Sequence, residues 1–351
     1  MAARLEIVDS IERVEPEAWD DLAAGRPFAD HRWLRLTEAL LLDHEPRYVL
    51  LRQGGRLAAA GVCALGRRLQ NPALQRRAGW LLRIVPFLRC EIPIALEPGL
   101  LLRRGDDPTP LLAAIERLAD RERAAFTRLD HLSPRADAWP GLSRAGYRPI
   151  PMWTETRLAL PWPSLDAYLA SLSSRKRGEL NRVRRRAEAE GLLVEPLRPT
   201  DDTDARLRGL VGQVLDRHAA LESYAPDMFT RARAVLGDDL RLLALRRGGR
   251  LVGCAALLRS GDELSAKWLG LDYAETRNTV AYSRLLLGCV EAAIDLGAPS
   301  LRLGATAYET KRHFAVALEE RAGAVSARLS PLTRLAARAL GAGARPSGAA
   351  A

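Results

Sequence analysis

The chain has 351 residues, enough for two domains of ordinary size with cores that need no disulfide or metal to hold them together. Its formal net charge of +10 favours an anionic partner, such as a nucleotide cofactor, a nucleic acid or a lipid surface. The most apolar region, residues 80–102, is interrupted by arginines, glutamates and prolines, so the sequence predicts no transmembrane segment.

The cysteines and histidines predict neither a disulfide framework nor a metal site. The four cysteines lie far apart in apolar runs, and no metal-ligand spacing joins them to the five histidines. The amino terminus carries charges throughout and lacks the pattern of a signal peptide. We therefore expect reduced thiols, no bound metal and a cytoplasmic location.

The first half begins with a predicted strand at 5–8 and helices at 16–24 and 30–42. Two apolar runs, 48–52 and 56–65, then flank Gln53-Gly54-Gly55, and glycines supply the positive φ that a tight hairpin turn needs. A helix at 109–125 follows, with Thr109 as the predicted N-cap and proline at the first helical position. A strand at 127–132 and the pair Ala145-Gly146 complete the half.

The same order of elements recurs in the second half. Residues 51–57 of the first hairpin match residues 245–251 at the leucine, arginine and glycine positions, 194 residues further along the chain. Each hairpin is followed by a long helix, a short strand and an Ala-Gly pair, which is Ala322-Gly323 in the second half. The recurrence indicates an internal duplication of one α/β unit.

Prolines mark the boundary between the halves. Four of them at positions 149–163 bracket an alternating strand at 153–160. We therefore predict an N-terminal domain at 1–152, a C-terminal domain at 153–335 and a flexible tail at 336–351. The last 20 residues, 332–351, begin as a basic amphipathic helix, whose Arg334 and Arg338 would give a weak contact with anionic lipid.

A basic helix is predicted at 174–190, between a serine cap and Gly191. Lys176 extends an apolar stripe through Leu180 and Val183, so its ammonium would face a cleft or a partner. Arginines cover the other faces, and together they would clamp the phosphates of a cofactor or of an RNA backbone. The alternative is an ordinary solvated basic helix.

The segment 300–314, SLRLGATAYETKRHF, is the strongest candidate for chemistry. A predicted helix at 281–296 precedes it, and its strand ends at Gly304. Strand ends beside helix ends are common ligand sites in α/β proteins. Tyr308, Glu309, Lys311 and His313 would line this crevice. Lys311 gains weight because only three of the 53 basic residues are lysines; the alternative is a solvated polar loop.

These segments resemble the acyltransferases of the GNAT superfamily, and its FemAB-type members in particular. The resemblance is carried by TETRLALPWPSLDAYLASLSSRKRGELNRVRRRAEAEGLLVEPL, LRLLALRRGGRLVGCAALL, SRLLLGCVEAAIDLG and LRLGATAYETKRHF. It covers roughly residues 153–328, and the first half only through the repeated hairpin. It implies an α/β (α+β) fold of two tandem GNAT-like domains, each with a mixed, mostly antiparallel sheet flanked by helices. It also implies transfer of an acyl or aminoacyl group to an amine.

The chain departs from the superfamily at the pyrophosphate loop. GNAT domains usually have glycines before the helix that follows the central strand, whereas this chain has RNTVAYS at 277–283. Side chains would have to bind the phosphates, and the candidates are Arg277, Ser283, Arg284, Lys176 and Arg177. The resemblance implies an acyl-CoA donor, or alternatively an aminoacyl-tRNA or an acyl carrier protein.

The resemblance implies direct attack by an amine on an activated carbonyl in a ternary complex. We assign Glu309 or His313 as the base, Lys311 as the electrostatic stabiliser, and Tyr308 or Tyr282 as the acid. A substrate pocket would involve three aromatic residues, Trp153, Trp268 and Tyr224. Three alternatives stay open: an aminoacyl-tRNA-dependent transferase, a noncatalytic GNAT-like binding subunit, and a nucleic-acid-binding module.

Overall fold

The computed structural model describes residues 4–69, 72–218, 220–327 and 330–343. The chain forms two compact units. The first contains the described residues of 1–153, 221–223 and 320–351, and the second contains those of 154–220 and 224–319.

Up to the domain boundary, the first unit contains the predicted helices and strands in the expected order, together with elements at 72–102 and 139–144 for which no prediction was made. They are β1 (Arg4–Val8), α1 (Pro16–Ala23), α2 (His31–Leu40), β2 (Pro46–Gln53), β3 (Arg56–Gly66), α3 (Pro72–Ile84), β4 (Phe87–Ile92), β5 (Glu97–Pro98), β6 (Leu100–Leu102), α4 (Thr109–Arg121), β7 (Thr127–Leu132), α5 (Trp139–Arg144) and β8 (Arg148–Pro151).

The second unit and the end of the chain contain the remaining elements. They are β9 (Glu155–Ala159), α6 (Leu165–Ser171), α7 (Ser174–Ala189), β10 (Leu192–Leu197), α8 (Asp201–Arg217), α9 (Met228–Leu236), β11 (Leu240–Arg247), β12 (Arg250–Ser260), β13 (Glu263–Leu271), α10 (Tyr273–Thr276), α11 (Ala281–Asp295), β14 (Ser300–Gly304), α12 (Tyr308–Lys311), β15 (Ala317–Glu319), β16 (Ala322–Ser326) and α13 (Ser330–Gly343).

The two sheets have the same strand order. The first is β1-β2-β3-β4-β7-β16-β8, and the second is β10-β11-β12-β13-β14-β9-β15. One central pair in each sheet is parallel, β4 with β7 and β13 with β14, and the other pairs are antiparallel. The predicted pair of mixed, mostly antiparallel sheets flanked by helices is therefore confirmed.

The sixth strand of the first sheet lies outside the domain to which we assigned it. β16 belongs to the first sheet, where it pairs with β7 and β8, whereas we predicted residues 322–326 to lie in the C-terminal domain. β9 takes the same position in the second sheet, between β14 and β15. Ala322-Gly323 is therefore the structural counterpart of the start of β9 and not of Ala145-Gly146, which precedes β8. Sequence order identified the repeat but not the sheet that each strand joins.

The tail assignment also needs correction. α13 continues to Gly343, and its Leu340 packs into a small apolar cluster of the first unit, so residues 336–343 are helical and not a flexible tail. Residues 344–351 lie outside the described part of the chain.

The repeated hairpins form where the sequence predicts them. Gly54 and Gly55 have φ values of 59° and 83°, and Gly248 and Gly249 have 54° and 79°. These values lie in the left-handed region that glycine adopts without a Cβ clash. Both hairpins contain a register shift just before the turn, so the duplication extends to backbone detail.

Each sheet buries one face against the long helix that follows its hairpin. α4 supplies Leu111, Leu112, Ile115 and Leu118 to the first core, and α11 supplies a matching row to the second. In the second unit, α8 covers the opposite sheet face, where a Cβ on Gly270 would lie 2.7 Å from the backbone of Leu210. The second sheet is therefore buried on both faces.

The units differ at the parallel strand pair. In the first sheet, residues 93–98 leave β4 and return as β5, which pairs with β4 and contacts β7. The chain therefore fills the space between these strands with its own backbone. In the second sheet, β13 runs on from Glu263 to Leu271 without such an excursion.

Candidate functional site

A gap opens between β13 and β14 in the second sheet. Their ladder covers two residue pairs, Leu264 with Leu301 and Ser265 with Arg302. Beyond Ser265 the register of β13 against β12 shifts, and Trp268 has a φ of 47°, which is rare for a bulky residue. The ladder with β14 ends at Ser265, before this bulge, which leaves the edge of β13 beyond Ser265 unpaired with β14 and open to a ligand. We call this space the β13–β14 gap.

Lys311 lies at the end of the β13–β14 gap. Its Nζ donates to the carbonyl oxygen of Gly304, the last residue of β14, over 3.3 Å. The side chain is 1% exposed. Burial, together with the positive charge of Lys267 on β13, lowers the pKa of Lys311 to about 7, against the opposing effect of Glu155. The Lys311 amine is therefore poised to gain or lose a proton near neutral pH.

A buried ion pair lies beside Lys311. Arg302 donates from Nε to Oε1 of Glu155 over 2.9 Å and from Nη2 to Oε2, and both side chains are almost completely buried. Both faces of β14 are buried, since Leu301, Arg302 and Leu303 are each at most 2% exposed. Because Arg302 engages both oxygens of Glu155, the carboxylate stabilises the Lys311 ammonium only at longer range.

Two buried polar atoms at the β13–β14 gap lack a protein partner among the described residues. They are the indole Nε1 of Trp268 and the hydroxyl of Ser265. Buried polar groups are nearly always hydrogen-bonded, so an orphaned pair beside a gap indicates a place where a ligand or water binds.

Aromatic and basic side chains surround the β13–β14 gap. Tyr224 and Phe229 make edge contacts with the Trp268 ring at centroid distances of 5.9 and 5.8 Å. At the end of α8, burial lowers the pKa of His218, and the positive charges of Arg217 and Lys311 add to the shift. The structure thus brings the predicted Trp268 and Tyr224 together, whereas Trp153 belongs to the first unit.

The residues predicted at 308–313 separate into two groups because of the short helix α12. Tyr308 and Lys311 are three residues apart and share a face, and the Tyr308 hydroxyl donates to the carbonyl of Thr154 over 2.6 Å. Glu309 and His313 are four residues apart and face elsewhere. The Glu309 carboxylate is exposed and pairs with Arg312 at 2.8 Å.

Glu309 and His313 line a separate cavity of about 230 Å³. Ser283 of α11 also lines it, and α7 contributes a carboxylate and two apolar side chains. The full lining is Glu179, Leu180, Val183, Ser283, Glu309, Thr310, Arg312, His313 and Phe314. We call it the α7–α11 cavity.

The amino terminus of α11 is occupied by a carboxylate of the protein itself. Oε2 of Glu190 accepts from the backbone N–H of Val280 over 2.9 Å, and the same side chain pairs with Arg186 of α7. Arg186 also donates to the carbonyl of Asn278 over 2.7 Å. In this unit a helix N-terminus that would suit a phosphate is therefore already bonded to a negative group.

The other residues predicted to bind a cofactor lie in different surroundings. Arg177 donates to the carbonyls of Ala170 and Leu172 at the end of α6, and Arg284 lies 3.9 Å from Glu291. Arg277 is exposed and Lys176 is half-buried. Tyr282 packs against the core cluster, where burial raises the pKa of its phenol.

Sequence reasoning missed Lys267, Glu155, Arg302 and Glu190 as site residues. Lys267 carried a signal, since it is one of the three lysines. Glu155 and Arg302 lie 147 residues apart, and no local pattern connects them. In the described residues no cluster of histidine, cysteine and carboxylate side chains could hold a metal ion, and no helix there is long and apolar enough to cross a membrane.

A family model matches most of the second unit. Residues 174–312 match the family described as acetyltransferase (GNAT) domain. A search of curated protein sequences finds no match to this chain.

Solved structures share the fold over nearly the whole length. FemX has a TM-score of 0.60 at 12% identity, with 95% of this chain and 100% of FemX covered. L-PGS from Bacillus licheniformis has a TM-score of 0.56 at 12% identity, with 96% of this chain and 99% of L-PGS covered. A tandem GNAT protein from the clavulanic acid biosynthesis pathway has a TM-score of 0.57 at 14% identity, with 92% of this chain and 98% of that protein covered. Residues 174–312 therefore match a GNAT acetyltransferase domain, and the chain shares its fold with FemX and with the tandem GNAT protein.

Proposed function

We propose that the second unit transfers an acyl or aminoacyl group to an amine by direct attack at the β13–β14 gap. The observation that carries the proposal is Lys311, a buried amine at the end of this gap whose pKa is about 7. The orphaned polar atoms of Trp268 and Ser265 support a ligand beside it.

In this reaction the amine nitrogen of the acceptor forms a bond to the donor carbonyl carbon, and the carbonyl oxygen becomes an oxyanion. The neutral Lys311 amine accepts a proton from the acceptor nitrogen. The tetrahedral intermediate then collapses, the bond from carbon to the donor oxygen or sulfur breaks, and the leaving group takes up the proton. Backbone N–H groups of β13 beyond Ser265 would stabilise the oxyanion.

Lys311 suits the role of base better than Glu309 or His313, our candidates from the sequence. Glu309 is exposed and paired with Arg312, and both candidates line the α7–α11 cavity on another face of the segment. A carboxylate in water has little tendency to take a proton from an ammonium group, whereas a desolvated amine has a matched pKa. Glu309 and His313 would instead contact part of a substrate in the α7–α11 cavity.

The identity of the donor depends on Glu190. The description of the tandem GNAT neighbour mentions acetyl-CoA. The resemblance to GNAT domains implies that the pyrophosphate of an acyl-CoA would bind at the amino terminus of α11. The Glu190 carboxylate would repel it there. An aminoacyl-tRNA needs no such contact, and the exposed arginines of α7 suit its backbone. We therefore favour an aminoacyl-tRNA donor over acyl-CoA or an acyl carrier protein.

The donor can be tested by thermal shift and native mass spectrometry with acetyl-CoA, longer acyl-CoAs, acyl carrier protein and bulk aminoacyl-tRNA. We expect stabilisation by aminoacyl-tRNA, and formation of an amide when a panel of amines is added. Stabilisation by acyl-CoA with equal or greater affinity would contradict the preferred donor. No binding and no transfer with any donor would favour a noncatalytic binding subunit.

Substituting Glu190 should create a phosphate site. In Glu190→Ala the N–H of Val280 loses its acceptor and the local negative charge disappears, so we expect acetyl-CoA to bind about 5- to 10-fold more tightly by isothermal titration calorimetry. The variant should also lose about 1 kcal/mol of stability. Glu188→Ala, which removes an exposed carboxylate near the end of α7, two residues before Glu190, is the matched control. Equal acetyl-CoA affinity in the wild type and both variants would refute the blocking role of Glu190.

A further inference from the structure

The first unit exposes large apolar side chains on two helices. In the described part of the chain, eight large apolar side chains are strongly exposed, and five of them belong to α3 or α13. Trp80 and Ile84 of α3 are 66% and 72% exposed, and Leu335 of α13 is 63% exposed. Leu81 and Leu332 complete the set. Single exposed apolar residues are normal, but this concentration on two helices calls for a partner.

The two helices belong to one surface region. Leu82 of α3 and Leu340 of α13 pack into the same small apolar cluster, together with Phe87. On α3, Trp80 and Ile84 are four residues apart and lie on the face directed away from this cluster. On α13, Leu332 and Leu335 are three residues apart and exposed. We call the exposed faces of α3 and α13 the α3/α13 surface.

Arginines are interleaved with these apolar side chains, without acidic residues. Arg76, Arg77 and Arg83 are exposed on α3, and Arg334 and Arg338 are exposed on α13. The sequence contains no aspartate or glutamate at 46–90 or at 321–351. Neither segment therefore supplies a carboxylate that could neutralise the positive charge of these arginines.

We propose that the α3/α13 surface binds the face of an anionic lipid bilayer. A helix with tryptophan and aliphatic residues beside arginines lies in the membrane interface, with apolar side chains at the acyl boundary and arginines on lipid phosphates. α3 has 13 residues and α13 has 14, too short to cross a bilayer and long enough to lie along it. This inference does not depend on the donor or acceptor of the second unit.

A second copy of the chain fits the α3/α13 surface less well than lipid does. A twofold dimer brings the same patch together from both subunits, so the five arginines would face one another without carboxylates. Charged residues are also depleted from the centre of protein interfaces. A nucleic acid would satisfy the arginines but leave the aliphatic side chains in water.

The test is flotation of the full chain with vesicles of phosphatidylcholine alone or with about one-third phosphatidylglycerol. We expect binding to the anionic vesicles only, and weaker binding at high salt. The double variant Trp80→Ser/Ile84→Ser should reduce partitioning by roughly tenfold or more, because two buried apolar side chains are lost. Arg76→Gln/Arg77→Gln should reduce the anionic preference.

The matched control is Leu42→Ser/Leu318→Ser, which removes two leucines with 59% and 64% exposure elsewhere. It should bind vesicles like the wild type, and circular dichroism should show that every variant is folded. Equal vesicle binding by the wild type and Trp80→Ser/Ile84→Ser would overturn the proposal. So would a concentration-dependent dimer in analytical ultracentrifugation that Trp80→Ser/Ile84→Ser abolishes, since the surface would then bind a second copy.

Discussion

Lys311→Met is expected to reduce turnover by roughly 10²- to 10⁴-fold while making the protein more stable. Methionine has a similar length and no charge, so it fills the same space without the desolvation penalty that Lys311 pays. We expect the free energy of unfolding to rise by about 1 to 3 kcal/mol, a gain typical of removing a functional strain. Single-turnover amide formation and urea denaturation measure the two effects.

The pH dependence should change with the same substitution. Because the pKa of Lys311 is about 7 in the folded protein, below its ordinary value of 10.5, the unfolded state binds more protons between these values. Wild-type stability should therefore rise as pH increases from about 7 and level off above the ordinary lysine pKa. Lys311→Met should lack this rise. The rate of transfer should likewise increase with pH through about 7 as the Lys311 amine becomes neutral.

Two further variants separate base catalysis from simple charge stabilisation. Lys311→Arg keeps a positive charge that does not ionise near neutral pH, so it should be as inactive as Lys311→Met if Lys311 is the base. Substantial activity in Lys311→Arg would instead support the purely electrostatic role that we assigned from the sequence. Lys176→Met, at a half-buried lysine of α7, is the control for loss of a lysine and should keep the pH profile.

Breaking the Glu155–Arg302 pair should cause the largest loss of stability. Arg302→Leu leaves the Glu155 carboxylate buried without its bidentate partner, which should cost about 3 to 5 kcal/mol. Glu155→Leu should cost a similar amount. The double variant should recover most of the loss, because neither charge is then stranded. A double-mutant cycle by urea denaturation gives the coupling energy.

A surface pair provides the comparison. Arg231 and Asp227 lie 2.7 Å apart with about half of each side chain exposed, so Arg231→Leu should cost about 0.3 to 0.5 kcal/mol. A loss of similar size in Arg302→Leu would show that the buried pair is not energetically distinct. Glu155→Leu should also lower the pKa of Lys311 further, because Glu155 raises it, and so shift the rate profile to lower pH.

Local signals in the sequence predicted much of the fold. The Gly-Gly turns predicted both hairpins, and the helix predicted at 281–296 agrees with α11 to within one residue. β14 ends at Gly304 as predicted. The segment that forms β4 and β5 was harder to predict, because prolines and charged residues interrupt the alternating pattern that normally indicates a strand. The sheet membership of β16 depends on pairing over long sequence separations, which no local pattern records.

The candidate site was predicted only in part for the same reason. The scarcity of lysine singled out Lys311, and its burial makes that choice chemically meaningful. The sequence could not show that Glu309 and Lys311 face different ways, since that depends on a helix of only four residues. Nor could it show that Glu190 reaches Val280, 90 residues away. These contacts require the folded backbone.

The position of β16 has a consequence for the order in which the protein folds during synthesis. All residues of the second unit, which ends at Glu319, leave the ribosome before β16 does. Until then the first sheet lacks the strand between β7 and β8, and two strand edges of the earlier-made half stay open. The half that is translated first is thus completed last. A gene fragment ending near residue 152 would yield a sheet with a missing strand, whereas a circular permutant that joins residues 320–343 ahead of residue 4 would encode that unit almost continuously.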